Sequence, residues 1–410
     1  MFCSVKIIDD LSIKQSKLIN YNRILINICN LQNYQILEAL KIIKMYGCKK
    51  YNIAISDEIN NIIGSTIVSF ISDILYEYNK KPEIIFNKEY YNNLYNEYNN
   101  HKDIIINPSK TPKTYLEWIK TRIPNNYDCI ELDKKYYPLT ISVGQGSRFP
   151  ENEKSYMIHI KPKNVNPNFK TIYFIGKGIT YDSGGMNLKP RKMNHMKTDM
   201  AGSAILITVL NLLKTTNYNI NIVIPIAENM ISNTATKPGE IYTAFDGTTI
   251  EINNTDAEGR LCIVDAIIYI NKILKPSTNS IIIDIATLTG GTIYISDHLS
   301  AIVMSNNKGK YYYEKLFKIG EITAQYVDYL NIRNENISDY NSSVAMINNS
   351  PEHSRSGTVD GGAFIKYFVD NNIPWLHIDV ANVVFNDFSE KPLSYGVLLL
   401  YYFIMYYMEK

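Results

Sequence analysis

The chain has 410 residues, 45% hydrophobic and 20% charged, with 42 Lys and Arg against 40 Asp and Glu for a net charge of +2. That length passes the size at which a single core usually stops growing, so two domains are expected. The near-neutral balance excludes a general electrostatic attraction to nucleic acid or anionic membrane. The first hundred residues alternate apolar runs at 24–28 and 53–55 with helical patterns at 33–45 and 63–78. They read as a small α/β domain, followed by a polar Tyr/Asn-rich helix or connector at 90–100 and a boundary near residue 102. Strand patterns at 171–175, 220–226 and 280–285 then alternate with helical ones at 202–214 and 260–274. After them come a helix at 363–369, a strand at 375–380 and an apolar C-terminal helix. The alternation predicts an α/β fold in which 1–102 form the N-terminal α/β domain and 103–410 a larger α/β/α catalytic domain with a mostly parallel central sheet.

The apolar stretch at 395–408 is about 14 residues, short of the roughly 20 that span a bilayer, so it predicts a buried helix rather than a membrane anchor. Cys3, Cys29, Cys48, Cys129 and Cys262 are odd in number, scattered and without a CxxC pair, which favours a reducing compartment over a disulfide framework. The first ten residues lack a basic region followed by an apolar run, and a cytoplasmic location is the expectation. The abundance of Tyr, Ile, Asn and Lys reads as compositional drift rather than a stacking function.

Two segments carry chemistry. Lys177-Gly178-Ile179-Thr180-Tyr181-Asp182-Ser183-Gly184-Gly185 and Asn254-Thr255-Asp256-Ala257-Glu258-Gly259-Arg260 each follow an apolar run, and loops at strand ends are where α/β sheets bind ligands. Asp256 and Glu258 are two apart, so in an extended segment they project to one face and converge on a cation pair. Hard oxygen ligands of this kind suit Mg, Mn or Zn, and paired ions are a recurring device of hydrolases. A phosphate-cradling loop is the competing reading, but the P-loop spacing is absent. Lys177 is read either as a salt-bridge partner of these acids or as a ligand whose ammonium nearby cations depress toward neutral.

These residues, with Asn107-Pro108, Val143-Gly144-Gln145-Gly146-Ser147, Met196-Lys197-Thr198-Asp199-Met200, Glu228-Asn229-Met230 and Ala286-Thr287-Leu288-Thr289-Gly290, resemble the leucyl (cytosol) aminopeptidase family of dizinc exopeptidases. The resemblance covers roughly residues 103–400. It implies metal ligands at Lys177, Asp182, Asp199, Asp256 and Glu258, with Asp182 and Glu258 touching both of two divalent ions (Zn, Mn or Co). It further implies catalytic roles for Lys189 and Arg260, a bicarbonate ion beside Arg260, and a side-chain pocket of Met196, Thr287, Leu288, Gly290, Ala381 and Val384. Peptide substrates trimmed from the N-terminus and a homo-hexamer follow from the same resemblance; neither membrane nor nucleic acid is an expected partner. The alternative is an inactive relative serving as scaffold or DNA-binding factor, against which all seven charged site residues stand intact.

The sequence departs from the family between Leu188 and Asp199, where it is one residue short and carries Arg191-Lys192. Asp360 reads as a helix-start charge or a substrate contact. His101, His159, His195, His298, His353 and His377 show no paired spacing, and structural or surface roles are expected for them. Cys262 reads as a small buried residue.

Overall fold

The computed structural model describes residues 2–7, 23–26, 50–55, 61–76, 83–214, 216–351 and 356–407; the predicted helix at 33–45 and His353 lie outside them. Four strands, β1 (Phe2–Ile7), β2 (Arg23–Ile26), β3 (Lys50–Ile55) and β4 (Glu83–Phe86), form a parallel sheet in the order β2-β1-β3-β4. The helices Asn61–Leu75 and Glu89–Ile106 belong to this part of the chain, and the second runs through residue 102 and packs on the helix Ala201–Leu212.

That sheet is built from β5 (Tyr127–Glu131), β6 (Ser155–Pro162), β7 (Lys170–Gly176), β8 (Gly178–Asp182) and β9 (Tyr218–Asn229). Beyond the short β10 (Ile241–Thr243) and β11 (Thr249–Glu251), it continues through β12 (Ser280–Ala286), β13 (Ser300–Ser305) and β14 (Tyr326–Tyr329) and, past the two-residue β15 (Ile347–Asn348), β16 (Trp375–Asp379). The order is β14-β13-β16-β12-β7-β9-β6-β5, and its centre, β16-β12-β7-β9, is wholly parallel. The fold is therefore the mixed α/β arrangement with a mostly parallel sheet that the strand–helix alternation implies.

Every residue of β12 is buried, as expected of a central parallel strand covered on both faces. Ile281, Ile283 and Ile285 point to one face with Ile172 and Phe174, where Ala201–Leu212, Pro112–Arg122 and the C-terminal Val397–Tyr402 helix pack. Ile282 and Ala286 point to the other with Tyr173, Ile175 and the helix Glu258–Tyr269. Gly202 permits the first packing: a Cβ there would lie 2.1 Å from the Ile285 carbonyl oxygen.

One irregularity positions the site. β9 pairs with β7 as far as Ile175–Val223 and then with β8 from Gly178–Ile226. Lys177 occupies the break between the two strands, its amide bonded instead to Ile285 O at 3.0 Å. Among the described residues no helix is long and apolar enough to cross a membrane.

Candidate active site

Four carboxylates and two lysines meet where β8, β12 and the helix Glu258–Tyr269 converge. Lys177 Nζ lies 2.8 Å from Asp199 Oδ2, 2.9 Å from Glu258 Oε1 and 2.9 Å from the Thr287 carbonyl oxygen. Lys189 Nζ lies 2.7 Å from Asp182 Oδ2 and 2.5 Å from Asp256 Oδ1. Asp182, Asp199 and Glu258 each offer an oxygen within 4.8 Å of the others, and all three are buried.

Asp182 ends β8, where its Oδ1 accepts from the Gly184 amide and from Asn229 Nδ2, each at 2.8 Å. Gly184 takes φ of +86°, and a Cβ there would meet Asn187 O at 2.5 Å and Asp256 Oδ1 at 2.8 Å, so the turn requires glycine. Asp199 follows the 3₁₀ turn Met193–Thr198 and accepts from Thr287 Oγ1 at 2.8 Å. Asp256 and Glu258 do not share a strand face as the two-residue spacing suggests. The chain turns at Ala257, whose amide bonds to Asn254 O at 3.2 Å, and Glu258 opens the helix. Convergence comes from that turn and from the bare Cα of Gly259, against which Lys177 lies.

The charges are out of balance: four acids face two ammonium groups. Burial, then Glu258 and Asp182, push Asp256 up to about 7. Burial raises Asp182 from its ordinary value and lifts Asp199 well above it. Glu258 goes the other way, because Lys177 and Lys189 outweigh the burial that would raise it. Burial alone would depress Lys177, yet Asp199, Glu258 and Asp182 hold its ammonium above the usual lysine range. Among the protein's own charges Lys177 therefore reads as the salt-bridge partner. Only additional positive charge in the cluster would reverse that direction.

The donor set fits divalent cations. Glu258 Oε2 is buried without a hydrogen-bond partner, and the surplus of buried negative charge is what hard metal ions neutralise. Arg260, two residues on, donates through Nη1 to Asn349 O at 2.8 Å and Tyr340 OH at 3.2 Å, which leaves further guanidinium donors for an anion.

The cluster forms the floor of a cavity of about 670 Å³. Lys177, Asp182, Lys189, Asp199, Asp256, Glu258 and Arg260 all line it, with Met196, Thr287, Leu288, Gly290 and Ala381 on its walls. Val384 is elsewhere, 1% exposed in the main hydrophobic core; Phe385 beside it reaches the wall instead. Among the described histidines, His195 and His298 line the cavity: His195 packs on Phe385 at 4.9 Å and faces Asp387 at 3.4 Å, while Lys192 pairs with the same Asp387. The loop with Arg191-Lys192 is thus clasped to the opposite wall. Asp360 is buried in the first turn of Gly357–Tyr367 and also lines the cavity, so both of its readings stay open. Cys262 is fully buried and its thiol raised well above the usual value by burial.

Sequence reasoning gave no role to Asn229, whose Nδ2 bridges Asp182 and Thr255 O, or to Thr255 and Asn187, which cross-link the two chemistry-bearing loops at 2.8 Å. It also missed Asp379, which lies inside the apolar strand pattern at 375–380 and carries none of the glycine-bounded signal that marked Asp182.

Residues 100–401 match the description of the cytosol aminopeptidase family, catalytic domain. The chain belongs to the cytosol aminopeptidase family. A probable cytosol aminopeptidase of Phytoplasma australiense is 37% identical over 286 residues, covering 68% of this chain and 56% of that protein. The chloroplastic leucine aminopeptidase of Solanum tuberosum is 35% identical over 312 residues, 71% of this chain and 50% of that protein. The chain thus spans about half the length of the curated family members it matches. Among solved structures, the bottromycin maturation enzyme BotP in complex with Mn superimposes with a TM-score of 0.82 at 19% identity, covering 98% of both chains, a likeness of fold.

Proposed function

We propose that this chain is a metal-dependent aminopeptidase that removes N-terminal, leucine-like residues from peptides. The observation that carries the reading is the buried Asp182–Asp199–Glu258 cluster, with its orphaned Glu258 Oε2, at the floor of a cavity in a member of this family. Lys177, Asp182, Asp199, Asp256 and Glu258 are the residues that would hold two divalent ions. Such ions supply a water acidified toward neutral pH and a Lewis acid for the scissile carbonyl.

The remaining chemistry falls to the chain itself. Lys189 Nζ, fixed by Asp182 and Asp256, is an ammonium that burial would depress but that Asp182, Glu258 and Asp256 keep protonated; it donates to the oxygen that becomes negative as the carbonyl is attacked. Asp199 offers a buried carboxylate to the free α-amine, which restricts cleavage to N-termini. Arg260, with guanidinium donors to spare beside the carboxylates, would hold a bicarbonate ion to accept a proton from the reacting water. Met196, Leu288 and Ala381 present the apolar wall that favours a leucine-like side chain. A cytoplasmic location, a homo-hexameric assembly and a division near residue 102 that gives 1–102 an assembly or regulatory role complete the proposal.

The test is product analysis of a leucyl peptide and its N-acetylated twin with protein loaded with Mn, Zn or Co. Release of leucine from the free peptide alone is expected; equal cleavage of the blocked one, or no cleavage with any metal, would overturn the reading.

A further inference from the structure

One buried carboxylate that the mechanism above does not use ties together the two strand-end loops of the cavity wall. Asp379, the last residue of β16, is 0% exposed. Its Oδ1 accepts from the amides of Leu288 at 3.0 Å and Ala381 at 3.1 Å, and its Oδ2 from the Thr289 amide at 3.1 Å and the Thr289 hydroxyl at 2.7 Å. Leu288 and Thr289 belong to the turn after β12, Ala381 to the turn after β16, and all three line the cavity. Four donors on two oxygens are accommodated in full only by the anion.

Beneath it, two residues back along β16 and on the same face, His377 Nδ1 contacts Asp284 Oδ1, while Trp375 Nε1 donates to Asp284 Oδ2 at 2.7 Å. Asp284, Trp375 and His377 are each fully buried. Burial would lower the His377 imidazole, but Asp284 and then Asp379 hold it above its ordinary value. Burial lifts the Asp379 carboxyl, and His377 with the Thr289, Leu288 and Ala381 donors opposes that rise. His377 thus contacts Asp284 on one side and lies two residues before Asp379 on the same face of β16. Thr289 is further braced from the helix Gly357–Tyr367, where Thr358 Oγ1 lies 3.2 Å from its hydroxyl and Gly361 leaves room for its methyl.

We infer that Asp379 is a positioning residue for substrate selection: through Leu288, Thr289 and Ala381 it sets the width of the apolar pocket for the first side chain of the substrate. The Trp375–Asp284–His377 group lies beneath it along the same face of the strand. The inference rests on the aminopeptidase reading and deepens it.

Asp379→Asn keeps the size of the side chain but turns an NH₂ toward at least one of the four donors, so the two loops separate. With the full chain loaded with metal and assayed on leucyl, alanyl and phenylalanyl anilides, this variant is expected to raise KM for the leucyl substrate about tenfold and to cut the leucine-over-alanine preference by a similar factor. The fall in kcat is smaller, and the metal content is that of the parent. Thr289→Val changes the preference in the same direction, and Thr289→Ser restores it. A folded Asp379→Asn protein with the parent's preference, or one that loses kcat at constant KM, would overturn the inference. Should that variant fail to fold, identical preferences in the Val and Ser variants of Thr289 would overturn it equally. A parent protein inactive on every anilide would instead remove the aminopeptidase reading beneath it.

Discussion

Lys177 reaches its three partners because residue 259 has no side chain: a Cβ on Gly259 would sit 2.5 Å from Lys177 Cε and 2.6 Å from its Nζ. Gly259→Ala must therefore expel the ammonium from the carboxylates or tilt the first turn of the helix. Activity is expected to fall at least about a hundredfold from displacement at the reacting centre, while the melting temperature moves by only a few degrees. A kinetic assay beside a thermal melt checks this pair of outcomes. Lys189 plays a different part, since its bonds to Asp182 and Asp256 leave it protonated at the cavity floor. Lys189→Met should lower kcat by roughly 10²–10³, the usual cost of losing one oxyanion donor, with metal content retained on elemental analysis. A parallel loss of metal would mean that Lys189 holds the cluster together rather than serving the carbonyl.

The elements carry the site by close backbone packing. The helix Ala201–Leu212 lies on the sheet where Gly202 meets Ile285 O, one residue from the strand end that delivers Thr287. Gly202→Ala is expected to cost about 1–3 kcal/mol of overpacking, read as a lower urea midpoint at unchanged slope. The strands β7, β9, β12 and β16 could be read from the sequence because fully buried parallel strands are continuous apolar runs, and the helix at Glu258 because its pattern is long. Other features were not readable. The C-terminal helix gives way after Tyr402 to a π turn at Phe403–Tyr407, which hydropathy does not distinguish from α-helix. The break between β7 and β8 rests on a single Gly-Lys-Gly, and only the pairing of β9 with both strands reveals it. Within the site, the carboxylate cluster was readable because its acids sit in short distinctive strings. The Asp379 anchor and the core position of Val384 depend on which loop faces which, and spacing along one chain does not contain that.

Across the whole molecule, the N-terminal sheet and the catalytic sheet share one continuous core. Tyr402 OH donates to Asn61 O at 3.1 Å, and Asp73 Oδ1 accepts both from Lys102 Nζ at 3.0 Å and from Ser394 Oγ at 2.9 Å. His101 stands on the same connecting helix with Nδ1 3.3 Å from Thr208 Oγ1. Burial, then Lys102, take its pKa from 6.5 down to about 3. The unfolded chain therefore binds this proton first. The contribution of a neutral His101 is fully present above 6.5 and is lost as pH falls toward about 3. His101→Leu should flatten that part of the acid side of a urea-midpoint-against-pH curve; an unchanged slope would show that the histidine is solvated.

The proposed activity requires the buried carboxylates to act as a metal centre. The most direct test strips the purified protein with a chelator, then counts bound Mn or Zn and leucyl-anilide turnover together as metal is returned, in the parent and in an Asp256→Ala, Glu258→Ala protein. Two ions per chain, with turnover abolished by stripping, regained on reloading and absent from the double variant, is the predicted result. Turnover that survives stripping, or a double variant that binds and cleaves like its parent, would contradict it.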